Sequence, residues 1–293
     1  MPPNTPPIET VTALPRLPPR ASDSNKAHFG RILVVAGSRG MSGAAILCAS
    51  AALRAGAGLI KAAVPAEILS IVGAGNPCYM TAALSQDAEG RIALSAFKAL
   101  ESLSAAHDVI AVGPGLDRSG ELSALMVEFV TKMPNAMVID ADGLNALAGQ
   151  TEKLRCEQTL RIITPHPGEF ARLLQVDTKT VQAQRHERAV EFARAQNCVV
   201  VLKGQGTVVT DGRRVYQNAT GNPGMAKGGA GDVLTGVIAA LLGQHLAPFE
   251  AAQLGVYLHG LAGDLARDQI GEVSILATDL LDFLPAAFRQ HQG

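Results

Sequence analysis

Gly30-Arg-Ile-Leu-Val-Val-Ala-Gly-Ser-Arg-Gly-Met-Ser-Gly-Ala-Ala-Ile-Leu-Cys-Ala-Ser-Ala-Ala-Leu-Arg54 joins an apolar run, Ile32–Ala36, through the glycine turn Gly37–Gly43 to an Ala-rich stretch, Ala44–Ala55. A short β-branched run, a glycine turn and a helix-length stretch in succession is the unit from which parallel sheets are built. The unit recurs along the chain. Leu59–Val64, Val109–Val112, Ala136–Ile139, Ile162–Thr164 and Val199–Leu202 have the continuous apolar character of strands covered on both faces. Between them, Leu94–Ser104, Glu121–Lys132, Gly168–Leu174 and Val181–Gln196 are long enough to serve as right-handed crossovers. The pattern predicts an α/β fold with a mostly parallel sheet. Beyond Thr207 it predicts a hairpin, Val208–Thr210 and Val215–Gln217 around Asp211-Gly212, then helices over Gly231–Leu242, Pro248–Gln269 and Ala277–Arg289.

Outside this frame lies the N-terminus, where 7 of the 16 prolines fall in the first 20 residues. Proline removes backbone donors, so residues 1–25 are expected to form an extended arm ahead of a single domain over residues 26–293. The whole chain has 293 residues, 47% hydrophobic and 17% charged, which supplies a core and excludes wholesale disorder. With 25 Lys+Arg against 26 Asp+Glu, no charge excess points to nucleic acid or an anionic membrane. Apolar runs are short: Ala44–Leu53 stops at Arg54 and Val237–Leu242 at Gly243-Gln244-His245, so no spanning helix is expected. No secretory signal is visible. Cys48, Cys78, Cys156 and Cys198 form no C-x-x-C pair, which suits reduced, buried thiols in a cytoplasmic protein.

Two glycine clusters carry the chemistry. Gly37–Gly43 has the spacing G-x-x-G-x-x-G, not the dinucleotide fingerprint, and no acidic residue ends the next strand, which counts against a dinucleotide oxidoreductase. It reads either as a ligand loop at a strand end or as a tight helix–sheet turn. The second cluster, Gly221-Asn-Pro-Gly-Met-Ala-Lys-Gly-Gly-Ala-Gly-Asp232, runs straight into the helix at Val233. Amides of Gly228, Gly229, Ala230 and Gly231 at a helix N-terminus make a site for phosphate oxygens. Asp232 then has two readings: a helix-dipole partner, or the base that accepts a hydroxyl proton as that oxygen attacks phosphorus. No G-x-x-x-x-G-K-[ST] occurs, so any phosphate is handled without a P-loop.

The run Asn222–Asp232 resembles the anion hole and catalytic Asp of ribokinase-like kinases. More narrowly, a set of stretches in order is similar to the ADP/ATP-dependent NAD(P)H-hydrate dehydratase family. These are Gly30–Ser38, Gly43-Ala-Ala45, Ala51–Gly58, Val112-Gly-Pro-Gly-Leu116, Asp140-Ala-Asp-Gly-Leu-Asn145, Thr164-Pro-His-Pro-Gly-Glu169, Lys203-Gly204, Thr220–Met225 and His259-Gly-Leu-Ala262. Two positions depart from the family: Lys227, where a small residue is usual, and Ala230, where Ser or Thr is usual. The resemblance implies a ribokinase-like three-layer α/β/α fold. It also implies a repair reaction, in which the S epimer of hydrated NADH or NADPH (NADHX, NADPHX) is phosphorylated on its C6 hydroxyl and loses phosphate.

By the same carry-over, Ala44, Gly115, His166 and Asp232 would line the hydrate. Lys203, Gly204, Gln205, Gly206, Thr207 and Gly231 would hold ADP or ATP, with Mg2+ as cofactor. Each residue also has a plainer alternative. Ala44 could be only a helix residue, Gly115 a strand-ending turn, and Lys203 surface charge. His166 lies between two prolines in a rigid loop, which favours ligand contact, whereas His259 in an Ala/Leu-rich helix suits packing. Asp140, Asp142 and Glu169 fit either N-caps or water-mediated Mg2+ contacts. ADP is favoured over ATP, a homotetramer is expected, and the epimerase that the reaction needs is expected on a separate chain. The competing readings are a small-molecule kinase for a vitamin precursor, which would share Asp232, and a non-catalytic nucleotide binder, which would not need it.

Overall fold

The computed structural model describes residues 7–159 and 161–292. Its strands are β1 (Glu9–Thr10), β2 (Arg31–Val35), β3 (Leu59–Pro65), β4 (Met80–Leu84), β5 (Val109–Val112), β6 (Ala136–Ile139), β7 (Arg161–Ile163), β8 (Cys198–Leu202), β9 (Val208–Thr210) and β10 (Arg214–Gln217). The helices are α1 (Ser42–Arg54), α2 (Leu69–Gly75), α3 (Phe97–Ala105), α4 (Gly120–Lys132), α5 (Ala141–Ala146), α6 (Pro167–Leu174), α7 (Thr178–Ala183), α8 (Arg185–Gln196), α9 (Ala230–Gly243), α10 (Pro248–Ile270) and α11 (Ala277–Gln292).

All strands join one sheet in the order β1-β10-β9-β8-β7-β6-β5-β2-β3-β4, and β4 through β8 with β2 and β3 run parallel. Strand side chains alternate between two buried layers. Ile32, Val34, Val109, Ala111 and Val138 face α1, α9, α10 and α11, while Leu33, Val35, Ile110, Val112 and Met137 face α3, α4, α6 and α8. The period of two is what buries both faces of a sheet. Helix α9 explains its own apolar sequence: from Val233 to Gly243 every residue is buried, between the sheet on one side and α1, α10 and α11 on the other. Each fully buried Val, Leu or Ile there contributes about 1.5–3 kcal/mol of burial. No helix among the described residues is long and apolar enough to cross a membrane.

The chain passes from β2 to β3 and β4 on one side, then returns to place β5 on the other. Loops after β2 and β5 therefore diverge at the reversal of strand order, the crevice where open α/β sheets bind ligands.

Several boundaries differ from expectation. The stretch Val181–Gln196 is two helices, because Gln184 leaves helical geometry at φ −132°, ψ 38°. The break lets Arg185 turn its guanidinium onto the carbonyls of Leu202 (2.9 Å) and Lys203 (3.2 Å), tying α8 to the end of β8. Leu94–Ala96 forms a 3-10 turn before α3. Strand β4 had no clear sequence signal, since this sheet edge is half exposed and its Met-Thr-Ala-Ala-Leu alternates weakly. Cys48 and Cys198 are buried, and burial pushes both thiols up, but Cys78 is exposed and Cys156 partly so, against the expectation of buried thiols throughout. Of the Pro-rich arm, residues 1–6 lie outside the described residues. The rest is docked: β1 adds in parallel to β10, Val11, Leu14 and Leu17 pack on the core, and Gln253 Nε2 and His291 Nε2 donate to the carbonyls of Ala13 (2.8 Å) and Pro15 (2.9 Å).

Candidate functional site

At the carboxyl ends of β2 and β5 two loops are stitched together. Gly37 N–H donates to Pro114 O at 2.8 Å, and the Ser38 hydroxyl to Gly115 O at 2.9 Å. Gly115 has φ 61°, and a side chain there would begin 2.8 Å from the Ala44 Cβ. Glycine thus lets the loop close onto α1, and it places Gly115 and Ala44 against one another.

The neighbouring strand ends bring acids and a cation. Asp140, after β6, is 1% exposed. It occupies the N-cap position of α5, yet its carboxylate caps nothing. Its Oδ1 instead accepts from Lys203 Nζ at 2.7 Å, and its Oδ2 lies 3.0 Å from the Thr235 hydroxyl, which also reaches Gly231 O at 3.1 Å. Lys203 Nζ lies 3.9 Å from Glu169 Oε2 as well. Burial works against the Lys203 charge, but the carboxylates of Asp140 and Glu169 outweigh it and hold the ammonium above its ordinary pKa. Glu169, 6% exposed, is raised by burial against the opposing pull of Lys203.

His166 is the N-cap of α6. Its Nδ1 accepts from the N–H groups of Gly168 (2.9 Å) and Glu169 (3.3 Å), while Glu169 Oε2 accepts from His166 N–H at 2.8 Å, a capping box that meets the unpaired donors of the helix start. With Nδ1 accepting, the ring proton sits on Nε2. Burial first, then the charges of Lys203 and Arg172, lowers the His166 pKa and keeps the ring neutral near pH 7. The cap alternative for Glu169 is therefore what the geometry contains, while Asp140 is held by a lysine and a threonine.

Gly228–Asp232 opens α9. Gly229 has φ 91°, and a methyl there would meet Leu47 Cδ1 at 2.6 Å and the Ala277 Cβ at 3.0 Å. Only glycine fits both the conformation and the space. A side chain at Gly231 would start 3.2 Å from Lys203 Nζ, so the lysine and the head of α9 share one spot. Half-buried His259 anchors this turn from behind, Nε2–H to Ala230 O at 2.9 Å, with its pKa pulled down to about 4 by desolvation, a packing histidine as its sequence context suggested. The Asp232 carboxylate has no hydrogen bond among the described residues. Burial, with the Asp140 charge second, pushes its pKa up to about 7. Lys227 also finds a role: its ammonium donates to Val273 O at 2.7 Å and fastens the loop to the turn after α10.

Of the other expected nucleotide residues, Gly204 and Gln205 are exposed after β8, and Thr207 closes that turn, its hydroxyl donating to Gly204 O at 2.9 Å. Lys203 links this turn to Gly231, so the two halves of the expected nucleotide site are contiguous. Sequence inspection passed over Thr235 and Asp264. The second accepts from Gly221 N–H (2.8 Å) and Asn222 Nδ2 (3.1 Å), fixing the entry to the glycine run. Thr235 carried a signal, a polar residue within the otherwise apolar α9, whereas Asp264 is one of several polar residues of α10 and carried none.

The profile of the NAD(P)H-hydrate dehydratase family matches residues 32–286. The chain belongs to this family. As an NAD(P)H-hydrate dehydratase family member it is 46% identical over 276 residues to the bifunctional NAD(P)H-hydrate repair enzyme of Moorella thermoacetica, covering 94% of this chain and 52% of that protein. The chain thus spans about half the length of such bifunctional relatives. It is 36% identical over 280 residues to the ADP-dependent (S)-NAD(P)H-hydrate dehydratase of Neisseria meningitidis serogroup B, covering 92% of this chain and 87% of that one. The ADP/ATP-dependent NAD(P)H-hydrate dehydratase of Bacillus subtilis, co-crystallized with ATP/Mg2+, superposes with TM-score 0.81 at 32% identity, covering 94% of each chain. The hydroxyethylthiazole kinase of Pyrococcus horikoshii shares the fold alone, with TM-score 0.61 at 15% identity. The expected ribokinase-like α/β fold is the one found.

Proposed function

We propose that this chain restores NADH and NADPH from the S epimers of their hydrates, using ADP, or alternatively ATP, to phosphorylate the C6 hydroxyl. The observation that carries the reading is the placement of a high-pKa carboxylate, Asp232, without a hydrogen bond among the described residues, beside the Gly228–Gly231 amides at the start of α9. Hydroxide is a poor leaving group near pH 7, whereas phosphate departs readily. Asp232 takes the proton of the C6 hydroxyl, the freed oxygen attacks the terminal phosphorus, and the amides of Gly228, Gly229, Ala230 and Gly231 stabilise the charge that spreads over the transferring group. The C6–O bond then breaks as the ring nitrogen donates its electron pair, phosphate leaves, and loss of the C5 proton restores the double bond. Ala44, Gly115 and His166 hold the hydrate; Lys203, Gly204, Gln205, Gly206, Thr207 and Gly231 hold the nucleotide.

Mg2+ belongs to this reading as a companion of the nucleotide. Among the described residues no group of three or more His, Cys, Asp or Glu side chains is set to hold a metal. Asp142 is taken by Asp117 N–H, Arg118 and Asn145. This donor set suits an ion carried on phosphate oxygens and waters, with Asp140 and Glu169 reached through water. Bound there, Mg2+ would neutralise charge on the phosphates. An epimerase activity would supply the S form, and the exposed Ile270 at the end of α10, with Val273 and Leu276 just after it, offers apolar surface to a partner copy in the expected homotetramer.

The test mixes hydrated NADH with the protein and follows absorbance at the reduced-nicotinamide band. Absorbance is expected to recover with ADP or ATP plus Mg2+ and to stay flat without nucleotide. No recovery with either nucleotide, or a stable phosphorylated product from a vitamin-like alcohol instead, would replace this reading with that of a small-molecule kinase.

A further inference from the structure

Beside His166, on the rim of the crevice, a four-residue chain links two arginines. Arg118 Nε donates to Asp142 Oδ1 at 3.1 Å, Asn145 Nδ2 donates to the same oxygen at 3.0 Å, and Arg172 Nη1 donates to Asn145 Oδ1 at 2.5 Å. Each guanidinium is pinned by one nitrogen. No other hydrogen bond or ion pair among the described residues takes their remaining N–H groups, and both side chains are exposed, Arg118 by 58%. Arg39, on the loop after β2, makes the contrast: it spends its fork on Glu67, at 2.6 Å and 2.8 Å, and on Ala88 O at 3.0 Å.

The backbone under this rim is held in an unfavourable shape. Asp117 has φ 66° and Ala141 φ 50°, left-handed conformations without glycine. The Asp117 N–H is fixed by Asp142 Oδ2 at 3.0 Å, which turns Arg118 toward α5. Gly115 lies three residues before Arg118 and His166 caps the helix that carries Arg172. Both arginines also help lower the His166 pKa, so their charge reaches the ring.

We infer that Arg118 and Arg172, oriented by Asp142 and Asn145, form a subsite for the phosphate groups of the dinucleotide substrate, remote from the reacting ring. The inference rests on the proposed hydrate dehydratase reading. A guanidinium pinned at one nitrogen keeps a planar fork that matches phosphate oxygens and loses little freedom on binding. The nucleotide co-substrate has its own cation, Lys203, on the other side of Asp140. The anion that this rim would take is the diphosphate bridge, common to hydrated NADH and NADPH, or the 2′-phosphate present only in the latter.

The test measures steady-state kinetics of Arg118→Ala, Arg172→Ala and Arg118→Lys with hydrated NADH and hydrated NADPH. Each alanine variant is expected to raise KM for the hydrate about tenfold, a typical loss for one charge-assisted bond, with kcat and the ADP half-saturation unchanged and Arg118→Lys in between. An equal rise for both hydrates assigns the diphosphate, and a rise confined to hydrated NADPH assigns the 2′-phosphate. Parental KM values for both hydrates, or a change confined to ADP, would overturn the subsite while the parent's own turnover leaves the dehydratase reading standing. Failure of the parent to turn over either hydrate would instead strike the reading beneath it.

Discussion

Asp232→Asn is expected to slow dehydration of hydrated NADH by about 10²–10⁴-fold while nucleotide affinity changes little, because it keeps the shape of the side chain and removes the proton acceptor. The pH dependence supplies a second readout. Burial and Asp140 hold the Asp232 pKa at about 7. A base works only when deprotonated, so parental activity should climb as pH rises through 7 and level off above it, and the residual activity of the variant should lack that limb. The stability sign is opposite. The folded protein holds this proton more tightly than the ordinary value of 3.8 allows, so the group's contribution is present at low pH and is lost as pH rises toward 7. Asp232→Asn should therefore gain thermal stability relative to the parent on going from pH 5 to pH 8. Near-parental turnover would reduce Asp232 to a helix-dipole partner.

Lys203→Met should do two things that a surface lysine would not. Its ammonium is the cation partner of Asp140, which is 1% exposed. Removing it leaves a buried carboxylate with only the Thr235 hydroxyl, and breaking such a pair typically costs about 3–5 kcal/mol. Denaturant midpoints should fall accordingly, and nucleotide should bind more weakly. The double variant Lys203→Met/Asp140→Asn removes both charges and should recover most of the stability without recovering nucleotide affinity. If the double variant binds ADP as tightly as the parent, Lys203 is a structural partner of Asp140 and not a phosphate ligand.

The parallel core was legible because β2, β3, β5, β6 and β8 are buried on both faces and so appear as unbroken apolar runs. Strand β4, half exposed at the edge, and β1, two residues of an irregular arm, lack that signature. Gly229 at the head of α9 and Gly115 stood out because backbone geometry and close approach both demand glycine there. Side-chain partnerships were not legible in the same way. Nothing in Asp140-Ala-Asp142 says which acid meets a lysine 63 positions away and which turns to Arg118, since the first pairing arises only when β8 is set two strands from β6 and the second only when β5 is set beside it. Likewise His166 could be placed in a rigid loop, but not recognised as an N-cap whose tautomer is set by Gly168 and Glu169.

In the proposed reaction the hydrate leaves its oxygen on phosphorus. This is tested most directly by labelling the C6 hydroxyl of hydrated NADH with 18O, running the reaction with ADP and Mg2+, and locating the label by mass spectrometry. Attack of the C6 oxygen on phosphorus followed by C6–O cleavage predicts one 18O in the orthophosphate released for each NADH formed. Label in water, with unlabelled orthophosphate or none, would show that the C6 oxygen does not attack phosphorus.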